Sequence, residues 1–248
     1  MNAKDNPLPI LKARPSELAT AALVVGEPAR ALVAAEYLDN AREVGNYREY
    51  LTLTGEYNGV PLTISSHGVG AGGASICFEE LIRGGVKTLI RAGTCGAMRK
   101  GIKDGDFIIG TGAIREDGVS EKLLPMTFPA IADRQVVQAL VAAAKACGRA
   151  APHEGIVLSN GPFYEGMLPS ATNSWLKSGL DLAAVEMEFA VLLIVASMRG
   201  ARAGGLFTSD GNMTDDSDLE VYDPHRTVVK EGTKQMIQVA LDALAKLP

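Results

Sequence analysis

Arg91 stands at the end of a short apolar run, Lys87-Thr88-Leu89-Ile90, and is followed at once by Gly93-Thr94-Cys95-Gly96. In an open α/β sheet, ligands bind at the carboxyl ends of the strands. A buried guanidinium is costly there unless a negative charge meets it. The glycine-bracketed stretch reads as a turn that adds backbone N–H groups and the Thr94 hydroxyl, a combination suited to phosphate. Local spacing leaves two readings open, a phosphate contact or a core carboxylate partner for Arg91. Gly26-Glu27-Pro28-Ala29-Arg30 offers a second anion position, with a helix start whose N–H groups are free and Arg30 one turn in. Its plainer reading is a βα turn with a surface arginine.

Ala184-Val185-Glu186-Met187-Glu188 puts two carboxylates at a strand-to-helix junction. Strand alternation sends Glu186 and Glu188 to one face and Met187 to the other. A carboxylate accepts from two adjacent hydroxyls, so Glu188 suits a cis-diol such as ribose, with Met187 as an apolar floor. The alternative is a helix N-terminal acid that complements the helix dipole. Ser209-Asp210-Gly211 ends the last strand-like run, where an aspartate can act as a general acid or start a turn. Gly68-Val69-Gly70-Ala71-Gly72-Gly73 fits G-x-G-x-x-G, and an NADP-dependent oxidoreductase is the rival it suggests. However, it follows a hairpin in mid-chain rather than opening the domain. His67, His153 and His225 read as isolated, and Cys77, Cys95 and Cys147 form no disulfide or zinc spacing. No metal is expected, and the acidic run Asp215-Asp216-Ser217-Asp218 reads as a solvated loop. A serine-nucleophile elbow and a Walker loop are both absent.

The elements that must hold these residues alternate between strand-like and helix-like patterns. Strands are expected at Ala21–Val25, Lys87–Ile90, Phe107–Gly110, Gly155–Ser159, Leu182–Val185 and Ala203–Thr208. A hairpin joins Tyr50–Tyr57 to Val60–Ser66 through Asn58-Gly59. Helices are expected from Pro28 to about Leu38, Ala74 to Ile82, Arg134 to Ala146, Phe189 to Met198 and Arg226 to Leu247. The pattern gives one α/β domain over residues 1–248. Hydrophobic residues make up 47% of the chain, ample for a core, and the net charge of −5 carries no basic footprint for nucleic acid. With no apolar run long enough to span a bilayer and no signal-peptide core, a cytoplasmic protein is expected.

Taken in order, Gly26–Arg30, Asn46-Tyr47-Arg48-Glu49-Tyr50, Ser66-His67-Gly68-Val69-Gly70, Arg91–Gly96, Phe163-Tyr164, Val185–Glu188 and Ser209-Asp210 resemble the purine nucleoside phosphorylase and uridine phosphorylase family over almost the whole chain. The pattern is most similar to the protozoan purine enzymes. The resemblance implies a three-layer α/β/α fold whose mixed central sheet is partly closed into a barrel. It implies reversible phosphorolysis of a nucleoside to free base and ribose 1-phosphate, with inorganic phosphate as co-substrate and no other cofactor. Gly26, Arg30, Arg91 and Thr94 would hold phosphate, and Arg48 would reach the phosphate site of a neighbouring subunit. A homodimer is then the minimum unit, and a hexamer of dimers is common in the family. Glu186, Met187 and Glu188 fall at the ribose. Cys95, Gly96, Phe163, Tyr164 and Val185 fall at the base, and Asp210 would protonate a purine at N7.

The resemblance also sets the choice of base. Bacterial uridine phosphorylases read uracil with a glutamine and an arginine just after the Phe-Tyr pair. Here Glu165-Gly166-Met167-Leu168-Pro169 lacks both. With Asp210, that favours inosine and guanosine. Arg115-Glu116-Asp117-Gly118 through Phe128–Asp133 looks more like the uridine branch, so uridine is the alternative. The segment Pro7-Leu8-Pro9-Ile10-Leu11 lacks the family's N-terminal histidine, which brings 5′-methylthioadenosine into consideration. A hydrolytic nucleosidase is disfavoured by Arg30, Arg48 and Arg91, since water needs no anion clamp. A non-catalytic nucleoside binder is disfavoured by the presence of both Glu188 and Asp210.

Overall fold

The first apolar run forms β1 (Ala21–Val25), and Pro28 opens α1 (Pro28–Ala35), where its missing N–H costs nothing. The computed structural model describes residues 5–164, 166–214 and 222–247. Next come β2 (Asp39–Tyr47), β3 (Tyr50–Tyr57) and β4 (Val60–Ser66). The β3–β4 turn has Asn58 at φ 52° and Gly59 at φ 76°, the positive pair that a two-residue hairpin turn requires. After α2 (Ala71–Arg83) come β5 (Thr88–Ala97), β6 (Phe107–Glu116), α3 (Ser120–Leu123), β7 (Ala130–Ile131) and α4 (Arg134–Ala146). The chain continues with β8 (His153–Asn160), α5 (Ala171–Lys177), β9 (Leu182–Glu186), α6 (Phe189–Arg199), β10 (Arg202–Asn212) and α7 (Thr227–Leu244).

Two expected turns are strand. β5 does not stop at Ile90 but runs through Gly93-Thr94-Cys95-Gly96 to Ala97. Its partner β10 likewise runs past Thr208 through Asp210. The two pair in parallel from Arg202↔Thr88 to Asn212↔Ala97. The backbone of Gly93 to Gly96 therefore serves the sheet ladder rather than forming a free anion-binding turn.

The strand order is β10-β6-β8-β9-β5-β1-β4-β3-β2, and β10 also pairs with β5. That extra pairing closes β5, β10, β6, β8 and β9 into a barrel, while β1 to β4 extend from it as an open sheet. Helices α1, α4 and α7 cover one face over Leu23, Val25, Ile90, Ala92 and Leu206. Helices α2 and α6 cover the other over Val24, Leu89 and Phe207. The result is the three-layer, mixed, partly barrel-closed α/β/α fold expected. Alternation along β5 sends Leu89, Arg91, Gly93 and Cys95 toward the α2/α6 layer, and Ile90 and Ala92 toward the other.

Buried Arg115 at the end of β6 organises the loop before β7. Its guanidinium donates to the carbonyls of Ser120, Leu124, Pro125 and Phe128 at 2.6–2.8 Å. Asp117 accepts from the backbone of Val119 and Ser120. The segment that looks uridine-like is thus held by its own carbonyls. Among the described residues, no helix is long and apolar enough to cross a membrane.

Candidate active site

Arg91 lies in mid-β5, paired in register with Val24 of β1 and Gly205 of β10. Its side chain is 5% exposed. Nε donates to Glu186 Oε2 at 3.0 Å and Nη2 to Glu188 Oε2 at 2.5 Å. The structure thus gives Arg91 two core carboxylate partners. A Cβ on Gly93 would sit 2.9–3.0 Å from Nη1, Cζ and Nη2. The glycine thus leaves room for the guanidinium to fold back along its own strand, over the Phe207 ring at 5.6 Å. Burial opposes the charge on Arg91, but Glu188 and Glu186 outweigh it and raise its pKa.

The two glutamates have different surroundings. Glu186 ends β9, its side chain only 1% exposed. It accepts from Arg91 Nε, from Ser159 Oγ at 2.6 Å, and from the N–H groups of Glu188 and Phe189 at the start of α6. The helix-start role considered for Glu188 is thus taken by Glu186, whose carboxylate oxygens are held by these internal partners. Glu188 is the N-cap residue of α6. Its Oε1 accepts from Gly70 N–H and its Oε2 from Arg91. Burial raises the Glu188 pKa against the pull of Arg91. Met187 between them is half-buried.

The glycine run serves this carboxylate rather than a dinucleotide. Gly70 has φ 90° and presents its N–H to Glu188, while a Cβ on Gly68 would come within 2.7 Å of Glu49 Cγ. His67, read as isolated in sequence, is fully buried just after β4, with Nε2 3.0 Å from Arg91 Nη1. Its partner is 24 residues away in sequence, so no local spacing reveals it.

Asp210 is the extra residue of a bulge, since Ser209 pairs with Cys95 and Gly211 with Gly96. Bulges re-aim side chains at sheet ends. Asp210 Oδ2 accepts from the Tyr222 hydroxyl at 2.8 Å, and its backbone carbonyl accepts from Arg226 at 2.9 Å. Burial raises its pKa, while hydrogen bonds from Tyr222 and Thr94 and the charge of Arg30 pull the other way. Tyr222 was not visible as a site residue in sequence; its ring lies 6.2 Å from that of Phe163, which packs on Tyr164 at 5.0 Å. Phe163 and Tyr164 are 55% and 77% exposed. The acidic run 215–218 lies outside the described residues.

The remaining residues gather at the same strand ends. Burial lowers the pKa of Arg30, which feels the charges of Glu27, Arg91 and Asp210 and pairs with Glu27 at 3.2 Å. Gly26 follows β1 directly. Buried Cys95 is electrostatically close to Asp210, Glu186 and Arg91, and burial raises its thiol pKa. A Cβ on Gly96 would touch Met213 and Val185. None of the contacts above involves Arg48. It is exposed in the β2–β3 turn at φ 58°, its guanidinium 5.2 Å from the centre of the Tyr47 ring. Among the described residues, no group of three or more His, Cys, Asp or Glu is placed to hold a metal ion.

A buried cation braced by carboxylates and a shielded acid, brought together by parallel strands of an α/β sheet, mark a candidate functional site. The sequence pattern of the phosphorylase superfamily matches residues 20–245. The chain is 34% identical over 247 residues to a purine nucleoside phosphorylase of Plasmodium falciparum, covering 98% of each. It is 35% identical over 240 residues to a uridine phosphorylase of Haemophilus influenzae, covering 92% of this chain and 93% of that one. A crystal structure of a purine nucleoside phosphorylase from Toxoplasma gondii in complex with immucillin-H superposes with a TM-score of 0.90 at 33% identity, covering 97% of this chain and 96% of that one. The chain belongs to the phosphorylase superfamily, in the branch of purine nucleoside and uridine phosphorylases. It is a pentosyl-transferring enzyme, a nucleoside phosphorylase.

Proposed function

We propose that the chain catalyses reversible phosphorolysis of purine ribonucleosides, inosine and guanosine. The observation that carries this reading is Asp210, a buried carboxyl with a raised pKa at the base end of the site. Arg30, Arg91, Thr94 and the Gly26 backbone bind phosphate on one face of C1′. Glu188 accepts from the ribose hydroxyls over Met187. Phe163, Tyr164, Val185, Cys95 and Gly96 line the base position. The C1′–N9 bond breaks through an oxocarbenium-like state that the phosphate stabilises and then captures. Asp210 delivers its proton to N7, so the base leaves neutral and the developing charge is quenched. Phosphate is the co-substrate; the residues call for no other cofactor.

Arg48, exposed in the β2–β3 turn, is assigned to the phosphate site of a second copy, making the working unit a homodimer or an assembly of dimers. The three free cysteines suit a reducing cytoplasm. Cleavage of inosine and of uridine, each with and without phosphate, tests the reading. Fast phosphate-dependent release of hypoxanthine is expected. Faster release of uracil would assign the site to pyrimidines, and release without phosphate would make the enzyme a hydrolase.

Tyr222→Phe supplies a pH test. The hydroxyl donates to the Asp210 carboxylate and so favours its ionised form. Its loss raises the Asp210 pKa further, and the alkaline limb of the inosine kcat/KM profile moves to higher pH. A limb that stays in place would show that the bond does not act on the acid.

A further inference from the structure

His67 is a buried titratable group with no role in the reaction described above, yet it touches the residue on which phosphate binding rests. Its backbone N–H extends the β4–β1 ladder to the Val25 carbonyl at 2.9 Å. Its ring stands edge-on to Phe78 of α2, centroids 5.3 Å apart. Nδ1 is 2.7 Å from the Gly68 carbonyl. A carbonyl only accepts, so Nδ1 carries the proton. In the neutral ring Nε2 is then an acceptor, and it faces an obligate donor, Arg91 Nη1, at 3.0 Å.

The arrangement is selective for that tautomer. Protonated Nε2 would set N–H against N–H beside a guanidinium. The charges facing the ring are Arg91 from β5 and Arg30 from α1; with burial, both disfavour a second proton. Glu186 and Glu188 pair with Arg91, and Glu49 lies against Gly68, the residue after His67. The guanidinium is thus braced on three sides. Glu186 takes Nε–H, Glu188 takes one Nη2 hydrogen and His67 one Nη1 hydrogen. Of its five N–H donors, these contacts leave one on Nη1 and one on Nη2 for an incoming anion.

We propose that His67, as the Nδ1–H tautomer, is a positioning residue that fixes the Arg91 guanidinium for the phosphate co-substrate. The proposal rests on the assignment of phosphate to Arg91. It separates three replacements by what each can still do. Phenylalanine keeps the ring against Phe78 and has no acceptor. Asparagine can reach the Gly68 carbonyl but not Arg91. Glutamine can place an amide oxygen near the Nε2 position.

The experiment is a set of steady-state kinetics on wild type, His67→Phe, His67→Asn and His67→Gln, with phosphate and inosine varied independently and melting temperatures recorded alongside. His67→Phe and His67→Asn are expected to raise the KM for phosphate about tenfold or more, the effect of losing a hydrogen bond to a charged group. The KM for inosine should stay within about twofold, and His67→Gln should restore most of the phosphate affinity. Equal defects in the asparagine and glutamine variants would overturn the proposal, as would parallel rises in both KM values. The asparagine–glutamine comparison decides the matter even if the phenylalanine variant does not fold. Wild-type turnover that ignores phosphate would instead overturn the Arg91 assignment, an outcome read before any variant is made.

Discussion

Replacing Arg91 by alanine is expected to lower phosphate-dependent kcat/KM by roughly 100-fold or more, the scale of removing a preorganised charge from an active site. The same change should cost stability. Glu186 and Glu188 are almost wholly buried and share this guanidinium. Removing one partner of a buried pair leaves uncompensated charge, at about 3–5 kcal/mol. For a chain of this size that corresponds to a fall of order ten degrees in Tm. Arg91→Lys separates the two effects. It keeps the charge but loses the planar fork that reaches Glu186, Glu188 and His67 together. Lysine should therefore recover more stability than catalysis. An alanine variant that remains folded with an unchanged KM for phosphate would remove Arg91 from the anion site.

Asp210→Asn tests the acid. Asparagine can still accept from Tyr222, so the local hydrogen bonding survives while the proton donor is lost. Inosine cleavage should fall by roughly 100-fold or more, the span of general acid catalysis. Any cleavage of uridine should fall far less, because a pyrimidine has no N7 to protonate. Stability should not fall with activity. The Asp210 pKa is raised in the folded state, so its contribution to stability is present at low pH and is lost as pH rises through the folded value. At neutral pH a neutral amide is therefore no worse than the carboxylate. Equal losses on both nucleosides would show that Asp210 acts on neither leaving group, and a large drop in Tm would point to a structural role.

How much of this was legible depended on whether a residue's partner lay nearby in sequence. The hairpin could be read because Asn58-Gly59 specifies its own turn. The expected span of α4 matches because Asp133 caps it within three residues, accepting from Gln135 and Val136. β2 was missed because Asp39–Tyr47 is polar and mostly exposed, and its strand geometry comes from pairing with β3. Gly93 and Gly96 suggested a turn. They are strand because β5 pairs there with β10, and glycine suits both positions because a side chain would collide with Arg91 in one case and press on Met213 and Val185 in the other. The site behaved the same way. Arg91, Glu188 and Asp210 stood out as charged residues beside apolar strand-like runs, although Arg91 lies in mid-strand and Glu188 caps α6. By contrast, the binding of Glu186 into the α6 start, the His67–Arg91 bond and the Tyr222–Asp210 bond appear only once distant strands are aligned.

The closure of the barrel by β10 against β5 bears on how the enzyme is born. The pairing joins Gly93 to Phe207 and Cys95 to Ser209, contacts that span nearly half the chain. Such long-range strand pairing is slow to form, because the loop between the partners must be closed before any contact rewards it. On the ribosome, Arg91 emerges long before Glu186, Glu188 and β10. Until they follow, its strand has one edge unpaired and its charge uncompensated. A product truncated before β10 lacks the acid and the wall that buries the cation, and it exposes an apolar strand edge open to aggregation. Closure of the barrel therefore waits until β10 has been made.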